Sequence, residues 1–125
     1  MSQQTILYVE DNEYNRKIVR QRLGKTSYRL IEAADGEAGV ALAQSEKPDL
    51  ILMDVQLPKM SGLDATRALK ADAGTSHIPV IVITSFALSG DREKAAEAGA
   101  ASYLAKPYSP RELLALVRQY LPEAG

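Results

Sequence analysis

Short apolar runs alternate with amphipathic segments along this chain, and the alternation repeats five times. The runs are Ile6–Val9, Tyr28–Ile31, Leu50–Met53, Val80–Ile83 and Ala101–Leu104. The first, third and fourth are continuous and largely aliphatic, the pattern of central parallel strands covered on both faces. The second carries Arg29 and reads as an edge strand.

The segments between the runs carry helix punctuation. Tyr14, Ile18, Val19 and Leu23 fall on one face at helical spacing, and Gly24 is placed to end that helix in a left-handed conformation. Asp35 is placed to cap a helix running toward Ser45. Ser61 and Asp64 form the ends of a capping box, opening a third helix that ends near Ala71. Ser89 and Asp91 open a fourth, which stops at Gly99. Ser109, Pro110 and Glu112 combine an N-cap, a proline at the first helical position and an acid at the third. Leu113, Leu114, Val117 and Leu121 then supply the buried stripe of the last helix.

Five strands alternating with five helices predict an α/β fold, a doubly wound parallel sheet with helices on both faces. Right-handed crossovers leave two realistic arrangements, the dinucleotide-binding order and the flavodoxin-like order 2-1-3-4-5. Five strands with the weakest one second favour the latter. The 125 residues suit one domain with a core over about residues 5–121, and no linker or repeat interrupts them.

In open α/β sheets, ligands bind beyond the carboxyl ends of the strands. Strand 1 ends in Glu10, Asp11 and Asn12, strand 3 in Asp54, strand 4 in Thr84 and Ser85, and strand 5 in Lys106 and Pro107. Three carboxylates, a hydroxyl and an ammonium therefore arrive at one rim. Carboxylates so close cannot all stay ionised unless a cation sits among them. An oxygen-rich site with few protein ligands suits Mg²⁺, with Mn²⁺ the alternative. Lys106 offers a point charge to an anion and Thr84 a hydroxyl donor. Together these are the parts of a phosphoryl-transfer site with an aspartate nucleophile. Taken singly, each residue has a plainer reading as a cap, a strand ending or a solvated charge. Their joint arrival at the functional rim reverses that balance.

Composition narrows the field. The chain has no cysteine, so neither disulfides nor thiolate metal sites arise. A net charge of −1 gives no basic face for nucleic acid. No apolar run approaches the roughly 20 residues of a membrane span, and Met1–Thr5 shows no secretory pattern. The expectation is a cytoplasmic protein that binds neither membrane nor nucleic acid. His77, in a polar turn before Pro79, reads as solvated, and Tyr14, Tyr28 and Tyr120 as packing residues.

Glu10, Asp11 and Asn12, the segment Leu52–Pro58, Ser61 and Gly62, Thr84, and Lys106 with Pro107 resemble the receiver domain of bacterial two-component response regulators. The resemblance runs from Ile6 to about Leu121, and the spacings of 30 residues from Asp54 to Thr84 and 22 on to Lys106 agree with it. Asn15, Leu57 with Pro58, and the segment Phe86–Asp91 look like stand-alone regulators of the DivK kind, and are also similar to receivers fused to hybrid sensor kinases. The resemblance implies that Asp54 accepts phosphate from a phosphohistidine on a sensor histidine kinase or a histidine phosphotransfer protein. It implies Mg²⁺ ligation by Asp11 and Asp54, with Glu10 acting through water and the Gln56 backbone carbonyl completing the shell. Lys106 would pair with phosphoryl oxygens, Thr84 would move to bond one of them, and Tyr103 would rotate inward. A cis peptide would join Lys106 to Pro107.

Two features depart from the common pattern. Glu10 with Asp11 replaces a pair of aspartates, and Phe86 lies where a bulky group can shield an acyl phosphate; Gln56 is the other candidate for tuning hydrolysis. With no output domain visible, the protein would act by docking, and Asn15, Arg16 and Val19 on helix 1 are the expected face for the histidine donor. A downstream protein target would read the surface of helix 4, strand 5 and helix 5. A monomer is expected, with phosphorylation-dependent dimerisation the alternative. The protein would be no enzyme beyond its own phosphorylation and dephosphorylation. One rival is a Mg²⁺-dependent aspartyl-phosphate phosphohydrolase, but those resembling haloacid dehalogenases need an acid where Gln56 stands. The other is a pseudo-receiver scaffold, which would not need Asp54, Thr84 and Lys106.

Overall fold

The computed structural model describes residues 3–85 and 91–122. Strands and helices alternate as β1 (Thr5–Val9), α1 (Glu13–Leu23), β2 (Arg29–Ala33), α2 (Gly36–Glu46), β3 (Leu50–Asp54), α3 (Gly62–Ala71), β4 (Val80–Thr84), α4 (Asp91–Glu97), β5 (Ser102–Ala105) and α5 (Pro110–Tyr120). All neighbouring strands pair in parallel, in the order β2-β1-β3-β4-β5. This is the flavodoxin-like order anticipated from the pattern, with the Arg29 strand at one edge.

Side chains alternate across each strand, so every strand contributes to two cores. Ile6, Tyr8, Leu50, Leu52, Ile81 and Ile83 pack against Val19 and Leu23 of α1 and Leu113 and Val117 of α5. Leu7, Val9, Ile51, Met53, Val80 and Val82 pack against Ala43, Ala65, Leu69 and Ala95 of α2, α3 and α4. Strands β1, β3 and β4 are buried at every position, which is why they read as unbroken apolar runs. Each large aliphatic side chain so buried stabilises the fold by about 1.5–3 kcal/mol relative to an exposed one.

The helix ends follow the punctuation in most places. The Asp35 side chain accepts from the Ala38 N–H, and α2 ends at Lys47 with φ 49°. Ser109 and Glu112 form a reciprocal capping box, with Pro110 at the start of α5. Ser61 accepts from the Asp64 N–H, but the Asp64 carboxylate turns to Arg67 at 2.8 Å, so only half of that box forms. Helix α4 opens at Asp91, and Gly99 has φ 98° beyond its end; Ser89 lies outside the described residues.

Helix α1 differs from expectation in two respects. Val19 and Leu23 face the sheet, whereas Tyr14 is 70% and Ile18 38% exposed. The two pairs are offset by five residues, about 140° around a helix, so both cannot face one sheet. Gly24 is right-handed, at φ −63°, instead of left-handed. The helix tightens at its end through Lys25 N–H to the Arg22 carbonyl and Thr26 N–H to the Leu23 carbonyl. Among the described residues, no helix is long and apolar enough to cross a membrane.

Candidate active site

Parallel pairing brings the carboxyl ends of β1, β3, β4 and β5 to one rim. Asp54, the last residue of β3, lies in register with Ile83, and Thr84, the last of β4, with Ala105. Glu10 follows β1 directly, its N–H donating to the Ala33 carbonyl at 3.0 Å. Glu10 and Asp54 are 2% and 3% exposed, so both carboxyls are cut off from bulk water. Lys106 bridges them: its Nζ lies 2.7 Å from Asp54 Oδ2 and 2.9 Å from Glu10 Oε1. The Lys106–Pro107 peptide bond is cis.

The two carboxyls are held from several sides. Glu10 Oε1 also accepts from the Tyr8 hydroxyl at 3.4 Å and from Asn15 Nδ2 at 3.5 Å, and Oε2 accepts from the Asn12 N–H at 3.2 Å. Asp54 Oδ1 accepts from the Gln56 N–H at 3.0 Å. Burial, then the neighbouring Glu10 carboxyl, pushes the Asp54 carboxyl up to about 6. Burial acts on Glu10 in the same direction, but hydrogen bonds with Asp54 and Lys106 outweigh it and hold Glu10 at about 2. Burial also works against the Lys106 ammonium, yet its hydrogen bonds to Asp54 and Glu10 leave it raised.

A stability consequence follows for Asp54. Its folded pKa is raised above the ordinary 3.8, so its contribution is fully present below about pH 4 and is lost as pH rises through about 6. Asp54→Asn removes that loss. The variant is expected to exceed the parent in stability by up to about 3 kcal/mol at pH 7.5 and to match it near pH 4. Urea midpoints at the two pH values check this; an equal difference at both would contradict it.

The donor set expected from the sequence is oxygen only. It comprises the two buried carboxyls, the Asp11 carboxylate, exposed in the turn before α1, and the Gln56 carbonyl on the loop after β3. Two buried carboxylates facing one ammonium keep an excess negative charge, which suits a hard divalent cation. Among the described residues, no three acidic side chains form a ready ligand cluster. Glu10 and Asp54 meet; Asp11 stays solvated at the rim.

The remaining expected residues fall around this centre. Thr84 is buried, and its carbonyl accepts from the Lys106 N–H at 2.7 Å. Tyr103 is half-buried on β5, with the Arg92 guanidinium 5.7 Å from its ring centre. Phe86 lies outside the described residues. Arg16 donates from Nη1 to the Glu10 carbonyl at 2.6 Å and pairs with Glu13 and Glu32, so it braces the first loop. Val19 is mostly core and shows only an edge to a groove of about 590 Å³ between α1 and the start of α5. Ile18, Arg22, Pro107, Tyr108 and Leu113 complete most of that groove, which opens beside Lys106.

Sequence reasoning passed over Tyr8, Tyr108 and Arg92. Tyr8 carried a signal, since a strand residue two before Glu10 shares its face. Tyr108 and Arg92 carried none, because a tyrosine in a loop and an arginine on a helix are ordinary surface residues.

The fold and site have close counterparts. Residues 6–118 match the family model described as the response regulator receiver domain. The polar-differentiation response regulator DivK of Brucella anthropi is 41% identical over 120 residues, 96% of this chain and 98% of the relative. The receiver domain of a Pseudomonas aeruginosa sensor histidine kinase, solved with a magnesium ion coordinated in its active-site cleft, is 39% identical. It superposes with a TM-score of 0.87 over 95% of this chain and 98% of the other. The chemotaxis protein CheY4 of Vibrio cholerae superposes with a TM-score of 0.90 at 28% identity, over 96% of this chain and all of the other. Similarity that spans nearly the whole chain, joined to a shared strand order, places this protein in the response regulator receiver domain family of two-component signalling.

Proposed function

We propose that this protein is a phospho-acceptor switch in which Asp54 receives a phosphoryl group from the phosphohistidine of a sensor kinase or phosphotransfer protein. The observation that supports this most is the Lys106 ammonium held at 2.7 Å from Asp54, at the carboxyl end of a central strand. An Asp54 oxygen attacks phosphorus in line while the P–N bond breaks and its electron pair returns to the imidazole. The product is a mixed acyl phosphate. Lys106 then exchanges its carboxylate partners for phosphoryl oxygens, and the Thr84 hydroxyl bonds another. Mg²⁺, or Mn²⁺ in its place, would be held by Asp11, Asp54, the Gln56 carbonyl and, through water, Glu10, and would supply positive charge against those oxygens; the magnesium in the Pseudomonas receiver supports this.

The new group brings up to about two negative charges and three acceptor oxygens. Its effect is a population shift toward the state that satisfies them. Tyr103, beneath Arg92, carries that shift to the surface of α4, β5 and α5, where a downstream protein docks. The histidine donor docks at α1. With Asn15 and Arg16 engaged on Glu10, the apolar contact there falls to Ile18 and the edge of Val19. The cytoplasm is the compartment this reading requires, since the donor kinases phosphorylate there.

Incubation with acetyl phosphate and Mg²⁺ is expected to add about 80 Da to the parent protein and nothing to Asp54→Asn, read by intact mass. A parent that stays unmodified while correctly folded would defeat the reading. Phosphate added equally to the Asp54→Asn variant would move the acceptor elsewhere.

A further inference from the structure

We propose that Tyr8 is a positioning residue that holds the Glu10 carboxylate in place when Lys106 leaves it for the phosphoryl group; this rests on the phospho-acceptor reading above. Tyr8 is fully buried on β1, in the core beneath α1 and α5. Its ring packs there as any large apolar side chain would. A buried hydroxyl is costly unless it is bonded, so a phenylalanine would serve that packing with less penalty. The hydroxyl instead reaches Glu10 Oε1 at 3.4 Å and interacts with the Tyr108 hydroxyl on the loop beyond Pro107.

That position matters because of what else shares the oxygen. Glu10 Oε1 receives Lys106 Nζ at 2.9 Å, the Tyr8 hydroxyl at 3.4 Å and Asn15 Nδ2 at 3.5 Å. Lys106 is the short contact and the one that moves in the phosphoryl-transfer step. Once it turns to the incoming phosphate, the buried Oε1 keeps two donors among the described residues, Tyr8 and Asn15. Asn15 is a half-exposed helix side chain at the longer distance, able to exchange its partner for water. Tyr8 is anchored by a central strand and a packed core, so its hydroxyl cannot leave. It therefore keeps the Glu10 carboxylate aimed at the cleft while the lysine is engaged elsewhere. Tyr108 braces the Tyr8 hydroxyl from the other side.

The test uses the full chain with Tyr8→Phe and Tyr8→Val. Three quantities are measured: the urea midpoint with EDTA, Mg²⁺ affinity by calorimetry, and the rate of mass gain from acetyl phosphate at saturating Mg²⁺. Tyr8→Phe keeps the ring and is expected to keep the urea midpoint. It is expected to lose about three- to tenfold in phosphorylation rate and to bind Mg²⁺ more weakly, the scale of one hydrogen bond. Tyr8→Val is expected to lose stability as well, because it empties core volume. If Tyr8→Phe matches the parent in both Mg²⁺ affinity and rate, Tyr8 is a packing residue and the proposal is overturned. A parent that gains no mass overturns the phospho-acceptor reading itself, and Tyr8's role falls with it; a parent that gains mass leaves the comparison with Tyr8→Phe to judge Tyr8 alone.

Discussion

Replacing Lys106 with methionine is expected to lower stability at pH 7.5 by about 3 kcal/mol and to lower it far less near pH 4. Methionine keeps most of the length of the lysine stem, so the change isolates the charge. In the parent, one ammonium lies within hydrogen-bond distance of two carboxylates that are almost wholly buried. Its removal leaves two like charges facing each other in a low-dielectric pocket, and the pair responds by holding a proton to higher pH. The sign of the effect comes from that rise. A folded pKa above the unfolded one gives stability that is present at low pH and lost as pH climbs through the folded value. The same cause acts in the parent, where Asp54 is pushed up to about 6 by burial and by Glu10. Without the lysine it extends to both carboxyls, since Glu10 is held low by hydrogen bonds from Asp54 and from Lys106 itself.

Chemical unfolding at the two pH values measures this directly. A destabilisation of the same size at both would assign the effect to lost packing of the stem. The same variant is expected to accept phosphate from acetyl phosphate but to fail in the response, because the partner for the new oxygens is gone. Asp54→Asn and Lys106→Met thus move stability at neutral pH in opposite directions, which separates the cost of the buried acid from the benefit of its counter-ion.

The strand skeleton was legible because three of its strands are buried on both faces, and no local signal competes with an unbroken aliphatic run. Arg29 marked the edge strand for a matching reason: only an edge tolerates a charged side chain on its flank. Helix faces were harder to read. Tyr14 and Ile18 satisfy a helical period as well as Val19 and Leu23 do, and only the position of the sheet decides which pair is buried. Gly24 shows the same limit, since glycine permits a left-handed stop without requiring one. Among the described residues the positive φ values fall at Lys47, Lys59 and Gly99, and nothing in a lysine announces such a backbone. Within the site, Asp54, Thr84, Glu10 and Lys106 were readable because topology alone sends strand ends to one rim. The donors that hold them, Tyr8 and Tyr108 among them, depend on packing between layers, which sequence periodicity does not encode.

Gly62→Ala is expected to be as damaging as any single methyl added to this protein, costing about 3 kcal/mol or more. A Cβ there would lie 1.9 Å from the Asp54 carbonyl oxygen and 2.9 Å from the Val55 Cα, both backbone atoms that no rotamer change can move aside. The glycine begins α3, and its N–H donates to the Val55 carbonyl at 2.9 Å, which folds the loop after β3 back onto its own strand. That closeness fixes the backbone on which Asp54 sits. An alanine must therefore push the helix away from the strand end or tilt the carboxyl, and either displacement reaches Asp54. Gly74 is the control, because the one tight contact of a Cβ there would be the ammonium end of Lys47, 2.6 Å away on a flexible exposed side chain, with Asp72 Oδ1 at an ordinary 3.5 Å. Gly74→Ala is expected to change stability by no more than about 0.5 kcal/mol. Urea midpoints for the two variants, with Mg²⁺ affinity measured alongside, test the argument. A Gly62→Ala protein as stable as Gly74→Ala, binding Mg²⁺ like the parent, would show that the loop yields to a side chain without cost and that contact with the strand end does not aim the site.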